Sequence, residues 1–219
     1  MLEETQPSKS RTMKTISTFC LIALVTFSIP QFARAEENKE AAKLAREAAA
    51  AAKDQDFDKA VESARKAAAL DNKYSTSLAA AMQQRGFAAA NERRFPDAIA
   101  DFTEAIKVNP RDAGIYERRA AVEMKINDFD KALADYSEAI KLKPNDARYY
   151  NYRAYIYELK GDLKNAMADT EKVLKMERKN AEAIARKTRL ETRLKQQAAM
   201  NAPQSPAPPA PAVPPPKKP

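Results

Sequence analysis

Small and apolar residues recur along this chain at helical spacing. Ala98, Phe102, Ala105 and Ile106 stand at i, i+4, i+7 and i+8, one stripe of an amphipathic helix. The stripe returns thirty-four residues later as Ala132, Tyr136, Ala139 and Ile140. The whole block from Phe95 to Pro110 aligns in this way with Phe129 to Pro144, and a third copy begins at Leu163 after the same interval. A degenerate copy stands upstream at Phe57-Asp58-Lys59-Ala60-Val61. A fixed period of this size predicts stacked supersecondary units, none of which buries its apolar face alone. Asn127-Asp128 and Gly161-Asp162 supply turns inside the units. Pro96 is tolerated in a first helical turn, and Pro110 and Pro144 stop second helices. The first interval is thirty-eight residues, with Ser75 to Leu78 inserted. Four residues are about one helical turn, so the insertion lengthens a helix without rotating its apolar face.

These residues resemble the tetratricopeptide repeat, a helix-turn-helix unit with small residues where its helices cross. In the first helix the small position falls on Gly86, Ala120 and Ala154, and the large anchor on Met82, Tyr116 and Tyr150. In the second helix the pattern falls on Ala60, Ala98, Ala132 and Ala166, with the aromatic at Phe102 and Tyr136. Departures gather in the end copies, where Ala64 and Thr170 replace the aromatic and Asn72 and Arg178 replace the proline. The resemblance implies an all-α, right-handed α-solenoid of about four repeats, 41–74, 79–112, 113–146 and 147–180, plus a C-terminal capping helix, 181–199. Ile184, Leu190 and Leu194 are expected to cover the last repeat.

The family's first helices line a concave groove that accepts a peptide or a partner's helix. Carried onto this chain, that role falls on Gln83, Phe87, Glu117, Met124, Arg148, Asn151, Tyr155 and Glu158, with Phe87, Met124 and Tyr155 as apolar anchors. The clamp by which some relatives hold a C-terminal carboxylate would need Lys and Asn where this chain has Gln83, Phe87, Arg118, Arg148 and Tyr152. Only Arg148 suits it, which disfavours chaperone tails. Arg85, Arg119 and Arg153 recur with the period, as do Asp101, Asp135 and Asp169. Matched ladders of opposite sign predict structural ion pairs rather than an anion site.

Composition narrows the chemistry. The chain has no His and no Trp, three glycines and one cysteine, Cys20. It therefore lacks the makings of a His triad, a His/Cys metal centre, a P-loop or a dinucleotide turn. No acid, base and nucleophile stand out from the helical charge pattern, so the expectation is no enzyme, no cofactor and no metal. Tyr149, Tyr150, Tyr152, Tyr155 and Tyr157 alternate with Arg148 and Arg153, but packing columns account for Tyr150 and Tyr157, and nucleic-acid binding is not expected.

The two ends differ from the middle. Lys9, Arg11 and Lys14 precede an apolar run, Ile16 to Ile29, then Ala33-Arg34-Ala35. This is the pattern of a secretory signal peptide over residues 1–35, cut between Ala35 and Glu36; Met13 is an alternative start within it. The run is short for a membrane span, so no stable span is expected after cleavage. Ser17-Thr18-Phe19 before Cys20 does not suit lipidation. Loss of residues 1–35 leaves 34 basic and 28 acidic side chains, a net +6. Nine of the last seventeen residues are Pro, so residues 200–219 read as an extended spacer that follows the repeat domain, 36–199. The expectation is a periplasmic or secreted scaffold that binds a protein or peptide of the cell envelope. The alternative is a binder of anionic envelope polymer through the basic surface and the Pro/Lys tail. Self-association through the ends of the stack is compatible with either.

Overall fold

The computed structural model describes residues 13–201, which among themselves form nine α-helices and a 3-10 turn, Asn72–Tyr74, with no strand. The proline-rich segment and the opening of the proposed signal lie outside the described residues. The helices are α1 (Met13–Lys53), α2 (Phe57–Leu70), α3 (Ser75–Asn91), α4 (Phe95–Val108), α5 (Ala113–Lys125), α6 (Phe129–Leu142), α7 (Ala147–Leu159), α8 (Leu163–Met176) and α9 (Ala181–Asn201). They pack as the pairs α1–α2, α3–α4, α5–α6 and α7–α8, with α9 laid on α8. The described residues fall into two compact units that part between Pro144 and Asn145.

The sequence period reappears as geometry. Helices α5, α7 and α9 start at Ala113, Ala147 and Ala181, thirty-four residues apart. The inserted Ser75 to Leu78 forms an extra first turn of α3, which has 17 residues against 13 in α5 and α7. Each pair turns through one left-handed residue, at Gln55, Arg93, Asn127 and Gly161, with φ of 62°, 62°, 60° and 77°. The following amide reaches back five residues in every case: Asp56 to Ala51, Arg94 to Ala89, Asp128 to Glu123 and Asp162 to Tyr157, at 2.8–2.9 Å. This is the Schellman closure, and it satisfies carbonyls that the helix end would otherwise leave open. Asp56, Asp128 and Asp162 then cap the second helices with their carboxylates. Helix α4 lacks such a cap and carries Pro96 in its first turn, where one donor fewer needs a partner.

Burial follows the small-residue columns. Ala60, Ala98, Ala132 and Ala166 are fully buried, and Phe102 and Tyr136 are each 1% exposed. A Cβ on Gly86 would sit 3.1 Å from Asp101 Cβ and from a Phe102 ring carbon, so the bare Cα lets α3 and α4 cross closely. The first unit has a core in which Met82, Phe102, Ile115 and Val122 join a set of alanines. In the second, Leu163, Ala166 and Leu190 form a core flanked by Tyr157, Met167 and Leu194. Leu190 and Leu194 thus cover α8 as expected, whereas Ile184 is 48% exposed. Six residues separate Ile184 from Leu190, which places it about 120° away around the helix; Ala183 and Arg186 take the buried stripe instead.

Candidate binding surfaces

In the first unit, α1 and α3 flank a trough with two adjoining parts. One, of about 590 Å³, is lined by Ala52, Phe57, Ala80, Gln83, Gln84, Phe87 and Arg118. The other, of about 410 Å³, shares Ala52, Ala80 and Gln84 and continues past Ala45, Ala48, Ala49 and Ser77 to Lys53. Two of the sequence-derived residues, Gln83 and Phe87, therefore line one surface. Phe87 is 52% exposed, and the Arg118 guanidinium lies 5.6 Å from its ring centroid, within cation–π range. Gln83 makes a long contact, 3.5 Å, to Asp112, the N-cap of α5. Glu117 and Met124 on α5 are half-buried and do not line the trough; the Met124 sulfur faces the Tyr136 hydroxyl at 4.0 Å.

The second unit presents Arg148, Asn151, Tyr155 and Glu158 on α7. Only Tyr155, 41% exposed, is an open apolar anchor. Arg148 folds onto Asp146, the N-cap of its own helix, at 2.8 Å. Asn151 donates to Glu182 at 2.8 Å and accepts from Arg186 at 2.5 Å. Glu158 receives Arg189 at 3.2 Å and lies 3.4 Å from the Nε of Arg186, a side chain only 1% exposed. Two of the four residues therefore hold α9 in place, because a buried guanidinium must find anionic or carbonyl partners.

Residues 121–161 match the family model for the TPR repeat, and residues 147–180 match that for the tetratricopeptide repeat. The chain carries tetratricopeptide repeats. Its fold is similar to that of the Arabidopsis OM64 TPR domain, with 28% identity and a TM-score of 0.50 over 54% of this chain and 98% of that one. It is similar also to the first TPR of Spaghetti (RPAP3) bound to the HSP90 peptide SRMEEVD, at 22% identity and a TM-score of 0.50 over 53% and 93%. A tetratricopeptide repeat protein from Parabacteroides merdae matches at 18% identity and a TM-score of 0.55 over 74% and 68%. No curated protein matches the sequence. Tetratricopeptide domains act as scaffolds for protein–protein interaction. Among the described residues no helix is long and apolar enough to cross a membrane, and no group of His, Cys, Asp or Glu is placed to hold a metal.

Inside the tetratricopeptide repeats the two charge ladders meet. Arg85 grips Asp101 with two bonds of 2.6 and 2.9 Å, Arg119 grips Asp135 at 2.7 and 2.8 Å, and Arg153 grips Asp169 at 2.7 and 2.9 Å. These planar, two-pronged pairs suit arginine alone. The bonds to Asp raise the proton affinity of all three guanidinium groups. Arg119 also donates to Thr103 on α4 at 2.9 Å, and Arg85 to Asp58 on α2 at 3.0 Å. The ladder thus joins the helices of one repeat and ties that repeat to its predecessor within the first unit. Sequence reasoning missed Glu123, 2% exposed on α5, with one carboxylate oxygen lacking a hydrogen-bond partner. Burial, and then the neighbouring Asp135 charge, push its pKa from 4.5 up to about 7. Its period-mates are Ala89 and Tyr157, so no repeated signal marks the position.

Proposed function

We propose that this protein is an exported, non-catalytic scaffold that binds a segment of an envelope or secreted protein on its first-helix surface. The observation that carries the reading is the α1–α3 trough with Phe87 held open at its edge. Phe87 stands exposed beside a groove of about 590 Å³ whose alanines leave room for a partner's side chains. Affinity would come from a few anchors on helices already in place, Phe87 on the surface of the first unit and Tyr155, separately, on that of the second. In this reading the chain loses residues 1–35 on export, the proline-rich segment is a spacer, and neither cofactor nor nucleic acid is needed. The HSP90 peptide of the Spaghetti neighbour is not carried over, because where a carboxylate clamp would need Lys and Asn this chain has Gln83, Phe87, Arg118, Arg148 and Tyr152, of which only Arg148 suits it.

The test is a cross-linked pull-down from the envelope fraction with the chain as produced by its own cells, beside a version ending at Met200. A specific protein that is lost on replacing Phe87 and Tyr155 together by Ala supports the scaffold. Recovery of wall polymer alone, lost with salt or with the tail, would instead favour the anionic-polymer reading through the net positive charge. Mass spectrometry of the same material reads the amino terminus, for which Glu36 is expected.

A further inference from the structure

We propose that the α1–α3 trough takes an amphipathic helix of a partner protein whose apolar stripe is flanked by carboxylates. This rests on the scaffold reading above and names the ligand of that same surface.

Three observations point to this chemistry. First, the floor consists of Ala45, Ala48, Ala49, Ala52 and Ala80, so among the described residues no bulky side chain fills the space, which leaves room for those of an occupant. Ala45 to Lys53 and Ser77 to Phe87 run about 12 and 15 Å, between two and three turns of a docked helix. Second, apart from Phe57 at the start of α2, Ser77 in the first turn of α3 and Lys53 at the end of α1, the lining residues lie inside α1, α3 and α5, where backbone groups are bonded along the helix. An extended ligand would find no N–H or C=O partners along such walls, whereas a helix brings its own backbone bonds satisfied. Third, among the described residues the only charged ones that line the trough are Arg118 on α5 and Lys53 on α1. Both are exposed, and neither pairs with a carboxylate among the described residues, in contrast to Arg85 and Arg119, which are pinned to aspartates. With Phe87 beneath Arg118, the rim offers a cation supported on an aromatic face, and acids on either flank of the incoming stripe complement it.

The probe is a display library of random peptides of about 16 residues, long enough to form a helix when bound, selected on the full 219-residue chain. The selected consensus is expected to space Leu, Ile, Met or Phe at i, i+3 or i+4, and i+7, with Asp or Glu beside that stripe. Binding of the synthesised consensus, read by fluorescence anisotropy, should weaken about tenfold or more for Ala49→Trp and for Arg118→Glu. Both residues are exposed, so circular dichroism should show unchanged folding. Ala80→Trp serves as a second filling variant should Ala49→Trp perturb α1. A proline-rich or alternating consensus, or a consensus without acids, overturns the proposal. So does binding that survives Ala49→Trp and Arg118→Glu. Peptides that lose affinity only with Tyr155→Ala would sink the trough assignment and leave the scaffold reading standing; if no peptide binds, both fall.

Discussion

A chain with no histidine should hardly change stability between pH 5 and 8, because no ordinary side chain titrates there. Glu123 breaks that rule. Its folded pKa of about 7 lies above the ordinary value of 4.5, so between those values the folded protein keeps a proton that the unfolded chain has released. Stability is therefore full below about pH 4.5 as far as this group is concerned, falls as the pH rises through the window, and levels off above about 7. At about 1.4 kcal/mol per pH unit the full displacement corresponds to about 3.5 kcal/mol, an upper bound. Solvent screening and the opposing Arg119 charge bring the expected loss to about 1–2 kcal/mol. Glu123→Gln removes the titration while keeping the shape. The variant should exceed the natural protein in stability by that amount at pH 8, and the gap should close near pH 5. Urea unfolding followed by circular dichroism at pH 5, 6, 7 and 8 measures both slopes. A natural protein whose stability is flat over this range, or a variant that keeps the same slope, would refute the reasoning.

Arg119→Ala leaves Asp135, 4% exposed, without its two-pronged partner and should destabilise by about 3 kcal/mol in thermal unfolding; unchanged stability with lost partner binding would instead make the arginine a ligand contact. Glu158→Ala strips an anionic neighbour from the buried Arg186 and should lower the protection of α9 amides in hydrogen exchange well before those of α7 are affected. Arg93→Gly relieves a left-handed residue on an exposed turn, φ 62°, and should raise stability by about 0.5–1 kcal/mol, whereas Gly161→Ala at φ 77° should do the reverse.

What the sequence revealed and what it hid divide along physical lines. The turns at Asn127-Asp128 and Gly161-Asp162 and the Arg–Asp pairs were legible because a repeat reports the same contact several times, and the added turn of α3 because it interrupts the period. Glu123 occurs once, between Ala89 and Tyr157 in its column, and its burial depends on how α5 and α6 close over it. The fates of Asn151 and Glu158 were equally hidden: their partners lie 31 and 35 residues away on α9, a capping helix in which the sequence marked only Ile184, Leu190 and Leu194. The trough was half visible. Gln83 and Phe87 were identified from α3, but the facing wall belongs to the alanine run of α1, where the repeat signature is weakest and only the fold brings the two helices alongside.

Helix α9 begins one period after α7, so its residues can be compared position by position with a helix that has a partner. Where α7 offers Tyr150, Arg153, Ala154 and Tyr157 to α8, helix α9 offers Ile184, Lys187, Thr188 and Glu191. A further helix laid there would bury a lysine and a glutamate for the sake of one isoleucine, a losing exchange. In the language of addition polymers α9 is a terminator: it takes up the last reactive face and exposes none of its own, so head-to-tail growth from this end is blocked by composition rather than by bulk.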